Sequence, residues 1–192
     1  MRKGLRFAGA ALLLCGALSF LGGCAAGRSA PGATARTGES AAPAHVIPGV
    51  PFLPQEEDSC GPSSLAMLLR FHGKDATTGE LVRETRTVGL RGALITDLAA
   101  AARRRGVAAE VVDLTLPALR ERIDRGEPVI LLVDLGVWVW SRPHFLLAYG
   151  VTPEGVVANS GSRQGKVIPY GTLEGEWAKM GNLAIVAPGE AK

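Results

Sequence analysis

Apolar residues recur at two different spacings along this chain, and the change falls near residue 128. Before it they fall three or four apart. Leu65, Leu68 and Leu69 share one face of a helix opened by Ser59 or Cys60 and ending near Gly73. Thr77-x-x-Glu80 is a capping box for a second helix reaching about Arg86. Thr96 is placed to N-cap a third, "DLAAAARRR", which Gly106 stops. A short strand "AAEVVDL" follows, then a helix "PALRERIDRG" with Pro117 in its first turn. Beyond residue 128 the apolar residues bunch into short runs: "PVILLVDL", "HFLLAYGV", "GVVANS", "KVIPYG" and "NLAIVAP". Gly, Pro, Asn and Ser punctuate them, as they do strands. Helices followed by closely spaced strands predict an α+β fold, an N-terminal helical half packed on a C-terminal antiparallel sheet.

Residues 1–46 stand outside that pattern. Arg2, Lys3 and Arg6 precede an apolar run over residues 7–20, and Gly22 and Gly23 precede Cys24. This is the layout of an export signal over residues 1–23. Leu21-Gly22-Gly23-Cys24 resembles a bacterial lipobox, whose cysteine is lipidated and becomes the new N-terminus. The apolar run is short and glycine-interrupted for a retained membrane anchor. The expectation is an exported protein, lipid-anchored to the membrane through Cys24, on the periplasmic face of the outer membrane in a Gram-negative cell. Residues 24–46, rich in Ala, Gly, Ser, Thr and Pro, read as a flexible tether with a reach of about 25 Å. Residues 47–188 suit a single domain.

Charge then narrows the function. The chain has 21 Lys plus Arg against 18 Asp plus Glu, and Arg2, Lys3 and Arg6 account for the whole excess. Without its signal the chain has no net charge, so nucleic acid is not an expected partner. Arg103-Arg104-Arg105 has a simpler role as cations in the last turn of a helix. Cys15 leaves with the signal and Cys24 takes the lipid, which leaves Cys60 without a disulfide partner. There is no Cys-x-x-Cys or His-Glu-x-x-His, and His45, His72 and His144 are scattered. No metal or cofactor is expected.

Cys60 sits where a nucleophile belongs. A helix N-terminus offers unpaired N–H groups and a positive dipole end to an anionic sulfur, and Pro62 suits an opening turn that needs no N–H. Glu56, Glu57 and Asp58 work against that charge. Of the histidines, His45 lies in the tether and His72 about 18 Å along the helix from Cys60. His144 opens an apolar strand that can return to the helix end, so it is the expected base. Asn159, 15 residues further on and across a turn, is the expected orienting group of a Cys-His-Asn triad, with Asp134 and Ser160 the next candidates. Gln55 can supply a side-chain N–H beside the backbone N–H of Cys60 for a developing oxyanion.

"VPFLPQEEDSCGPSSLAMLLRFHG" resembles the opening of the C39-like papain-fold cysteine peptidases, the group that includes bacteriocin-processing peptidase domains. "RGALITDLAAAARRRG" and "GEPVILLVDLG" resemble the family's middle segments, and "PHFLLAYGV" the strand bearing its catalytic histidine. The match runs in order over about residues 50–170 and is closest to stand-alone exported lipoproteins. It implies a papain-like fold, with the Gln of the oxyanion hole at Gln55 and the nucleophile at Cys60. The family's third position is usually Asp, often followed by Pro, where Asn159-Ser160 is read here. No transporter or nucleotide-binding domain is read in the chain, so ATP is not an expected ligand and leader cleavage coupled to export is not carried over. The expected activity is a lipid-anchored cell-envelope cysteine peptidase acting on peptides or proteins. The alternatives are an amidase or acyltransferase with the same thiol chemistry, or a silent peptide-binding module. Within "GVWVWSRP", ahead of His144, two tryptophans either line a substrate groove or pack in the core or on a sheet face.

Overall fold

A computed structural model describes residues 44–189, apart from 57, 88, 90 and 91. The export signal, Cys24 and nearly all of the tether lie outside these residues. The last three tether residues are described, and two of them form a strand. β1 (His45–Val46) pairs antiparallel with Val151 and Gly150, so the ordered sheet reaches two residues further forward than residue 47.

The helical half follows the apolar spacing. In α1 (Cys60–Phe71) Leu65, Leu68 and Leu69 are fully buried, and Gly73 leaves the helix in the left-handed conformation that ends it. Full burial of such a side chain contributes about 1.5–3 kcal/mol. α2 (Thr78–Thr85) has the predicted capping box: Thr77 Oγ1 accepts from Glu80 N–H, and the Glu80 carboxylate accepts from Thr77 N–H. α3 (Ile95–Arg104) corrects one expectation. It begins ahead of Thr96, with Leu94 as an N-cap that makes no side-chain bond. Ile95 and Leu98 are buried, so the apolar stripe draws the helix back past its polar start signal. β2 (Glu110–Asp113) follows, and α4 (Leu116–Asp124) is capped by Thr115 Oγ1 accepting from Ala118 N–H.

β3 (Val129–Asp134), β4 (Pro143–Val151), β5 (Gly155–Ser160) and β6 (Arg163–Pro169) form an antiparallel meander. The chain then makes α5 (Tyr170–Ala178), a helix the strand reading did not include, before β7 (Leu183–Val186). α5 is held by buried Leu173 and Trp177, with Trp177 Nε1–H donating to Leu183 O at 2.9 Å. The seven-stranded sheet runs β2-β7-β3-β4-β5-β6, with β1 on β4, and α1 lies against β4. The fold is the predicted α+β arrangement, helices packed on an antiparallel sheet. No helix among the described residues is long and apolar enough to cross a membrane.

Candidate active site

Cys60 is the first residue of α1, half-buried and not disulfide-bonded. A tight turn delivers it. Asp58 takes a left-handed φ of 64°, Ser59 N–H donates to Glu56 O at 3.1 Å, and Ser59 Oγ accepts from Glu56 N–H at 2.9 Å. Glu56 and Asp58 are exposed. The serine hydroxyl is thus used on the loop and does not cap α1. First-turn N–H groups, Cys60's included, stay available to an incoming oxygen. Gly61 has a steric reason to be glycine. A Cβ there would lie 2.9 Å from Leu98 Cδ1 and 3.1 Å from Phe145 Cδ2. Its absence lets the first turn of α1 press against the residue that follows His144.

Gln55 ties the segments together. Its Oε1 accepts from Gly161 N–H at 2.7 Å and its own N–H donates to Gly161 O at 3.0 Å. Its Nε2 donates to Ser64 Oγ at 3.0 Å and lies 3.4 Å from both Cys60 O and Phe145 O. Because Gly161 N–H is a donor, the atom facing it must be the amide oxygen, which fixes the NH₂ group on the Cys60 side. One amide therefore touches Cys60 itself, the neighbour of His144 and the neighbour of Ser160.

His144, on β4, is largely buried. Burial first, and then the positive charges of Arg142 and Lys166, pull its pKa from 6.5 down to about 4. At neutral pH the imidazole is uncharged. Its Nε2 lies 3.0 Å from Ser160 Oγ. Among the described residues no hydrogen bond joins Cys60 Sγ to the ring.

The structure does not bring Asn159 to His144. β4 and β5 pair with Leu147 opposite Asn159, and side chains alternate along each strand. Leu147 lies an odd number of residues from His144, so Asn159 turns to the other side of the sheet and Ser160 to the side of the imidazole. Asn159 is fully buried. Its Nδ2 donates to Pro51 O at 3.1 Å and approaches Met67 Sδ at 3.6 Å, while its Oδ1 accepts from Gly165 N–H at 3.1 Å. Ser160 is the fallback that the sequence offers behind Asn159, and Ser64 is not among its candidates. Period-two alternation counted from a known register identifies Ser160; nothing local identifies Ser64.

Asp134 anchors the loop that enters β4. Its carboxylate accepts from Gly136 N–H and Arg142 N–H, both at 2.7 Å, and from Ser141 Oγ–H at 2.9 Å. The two backbone bonds hold its carboxyl below the usual carboxylate range. Above that base Trp138 and Trp140 are solvent-exposed, so neither packs in the core or against the sheet. Among the described residues no group of three or more His, Cys, Asp or Glu is placed to hold a metal ion.

The family model described as Peptidase C39 family matches residues 51–191. Among solved structures, a C39-like peptidase from Bacillus anthracis superposes with a TM-score of 0.65 at 19% identity, covering 78% of this chain and 99% of that one. The peptidase domain of Streptococcus ComA, a bifunctional ABC transporter of a quorum-sensing pathway, gives 0.61 at 20% identity, covering 73% and 99%. A double-glycine-motif protease from an AMS/PCAT transporter, solved with its leader peptide, gives 0.58 at 21%, covering 76% and 98%. Among curated proteins none matches the chain.

Proposed function

The chain belongs to the Peptidase C39 family of cysteine peptidases, and from that premise we propose that it hydrolyses peptide bonds in the cell envelope, held to the membrane by a lipid on Cys24. Cys60 Sγ attacks the scissile carbonyl while His144 takes the thiol proton. Ser160 Oγ accepts the Nε2–H of the neutral ring, which selects the tautomer whose Nδ1 is the free base. The oxyanion receives hydrogen bonds from Cys60 N–H and from the Gln55 amide. Imidazolium returns the proton to the leaving amine, and water then cleaves the acyl-thioester by the same base. The observation that carries this reading is the Gln55 amide, within 3.4 Å of both Cys60 O and Phe145 O and anchored on Gly161. The leader peptide held by the double-glycine-motif protease supports a peptide as substrate here too.

The absence of a Sγ–imidazole hydrogen bond among the described residues favours a second reading, a peptide-binding module without turnover. Active-site hydrogen bonds often tighten only when substrate binds, so we rank it second. One experiment separates the two. Iodoacetamide should alkylate Cys60 rapidly near neutral pH in the wild type and at least tenfold more slowly in His144→Ala. Equal rates would leave the thiol unactivated and the binding reading in place. Anchoring has its own check, the intact mass of the mature chain, which should begin at an acylated Cys24.

A further inference from the structure

Four consecutive large apolar residues project from the turn between β3 and β4: Val137 is 68% exposed, Trp138 101%, Val139 89% and Trp140 78%. An indole exposed this fully touches nothing on its own protein, so it forms no wall of a groove. The loop is nevertheless built. Asp134 holds Gly136 N–H and Arg142 N–H, Trp140 N–H donates to Val137 O at 3.1 Å, and Lys179 Nζ donates to Gly136 O at 2.9 Å. Gly136 is required there, since a Cβ would collide with Trp140 O. The Asp134 carboxylate at the base is buried and takes three donors, while Arg142 and Lys179 at the ends of the apolar run are exposed.

We propose that this loop is a membrane-interface anchor, with Val137, Trp138, Val139 and Trp140 seated at the headgroup–acyl boundary of a bilayer and Arg142 and Lys179 at its anionic surface. Tryptophan favours that boundary because its ring is apolar and its N–H polar, and each interfacial cation adds attraction to anionic lipid. Exposed indoles flanked by cations match the aromatic belt and the anionic surface of a bilayer. His144 follows Trp140 by four residues, so a docked loop sets the catalytic end of the sheet close to the membrane. Substrates would then be segments presented at the bilayer. The loop acts without the Cys24 lipid, although the lipid would deliver it there.

The test is tryptophan quenching on the purified, processed protein with vesicles of mixed anionic and zwitterionic lipid. The chain has three tryptophans, and Trp177 is buried in the domain. In the wild type, acyl-chain-brominated lipid should quench emission and the vesicles should protect it from aqueous iodide. Both effects should weaken strongly in Val137→Ser/Val139→Ser, which keeps both reporter indoles and whose hydrolysis of a soluble peptide should stay at the wild-type rate. Lys179→Gln should weaken the loop's occupancy of anionic vesicles roughly fivefold. Loop tryptophans open to iodide and unquenched by brominated lipid on vesicle-bound protein would overturn the proposal. So would protection without lipid, whether it rises with protein concentration (self-association) or with added apolar peptide (a substrate loop). If the mass of Cys24 shows no acyl group, the anchoring reading fails, yet quenching on added vesicles still decides the loop.

Discussion

His144 Nε2 lies 3.0 Å from Ser160 Oγ, and Asn159, one residue earlier on the same strand, faces away into Pro51 O and Gly165 N–H. Strand alternation assigns the two neighbours different work, one at the imidazole and one in the interior.

The two serve as controls for each other. Ser160→Ala should keep the fold and slow Cys60 alkylation and turnover on the order of tenfold, less than loss of the base itself. Ser160→Asp should raise the His144 pKa by setting a negative charge on Nε2–H. Asn159→Ala leaves a half-buried carbonyl and a half-buried N–H without partners, so it should cost about 1–3 kcal/mol of stability. Its folded fraction should alkylate at the wild-type rate. Asn159→Asp should be worse, since a carboxylate would face Pro51 O. Chemical denaturation and alkylation rates on each variant check both halves. A slow but stable Asn159→Ala would restore Asn159 to the triad.

How much of this was legible in the sequence follows from the range of each signal. Local signals read well: the Thr77–Glu80 capping box, the Cys60 helix start and the fully buried β3 run all stand where expected. α5 was lost because "YGTLEGEWA" carries two glycines and buries only Leu173 and Trp177, too sparse a stripe to show a helical period. Ser160 stands behind Asn159 in the sequence for a longer-range reason. Choosing between two adjacent residues needs the β4–β5 register to the single residue, and only the folded pairing supplies it. The Trp138 loop was open to either reading because exposure at a turn depends on what packs over it.

His144 predicts a pH dependence of stability. Its folded pKa of about 4 lies below the unfolded value near 6.5, so the unfolded chain binds the proton first. Stability should therefore fall as pH drops from 6.5 towards 4, by roughly 3 kcal/mol from this group. His144→Gln should flatten that window while leaving the steeper loss below pH 4, where Asp134 and Glu84 lose their depressed carboxylates. Removing one nearby cation, as in Lys166→Gln, should raise the pKa and move the acid limb of alkylation to higher pH. Urea denaturation at half-unit pH steps reads the first, and alkylation profiles the second.

Gln55 should fail in two ways at once. Its NH₂ faces the Cys60 side and its oxygen holds Gly161, so Gln55→Ala removes an oxyanion donor and a structural tie together. Turnover should fall roughly 10²- to 10³-fold with KM little changed. Stability should also fall by about 1–3 kcal/mol, because Gly161 N–H and Ser64 lose their partner. Gln55→Glu keeps an oxygen for Gly161 but turns its second oxygen on Cys60 O and Phe145 O, so it should lose turnover and recover only part of the stability. Loss of stability with wild-type kcat would make Gln55 structural alone.

Gly61 tests whether the packing of α1 on β4 sets the chemistry. A methyl at this position meets Leu98 Cδ1 at 2.9 Å and the Phe145 ring at 3.1 Å. Leu98 ends in a rotatable methyl and can yield a few tenths of an ångström. Phe145 is a buried ring on the strand that carries His144, so relief on that side moves the helix start away from the strand. Overpacking of this kind costs about 1–3 kcal/mol, and Gly61→Ala should lose stability in that range. The more specific outcome is kinetic. If Cys60 depends on His144 for activation, a displaced first turn should slow alkylation in Gly61→Ala and also shrink the further effect of His144→Ala, a coupling that a double-mutant cycle measures. Leu98→Ala, placed behind Gly61→Ala, should give the new methyl room and return part of the rate, whereas Phe145→Leu should return more because it relieves the strand side. Additive effects of Gly61→Ala and His144→Ala on alkylation would mean that this contact sets stability alone.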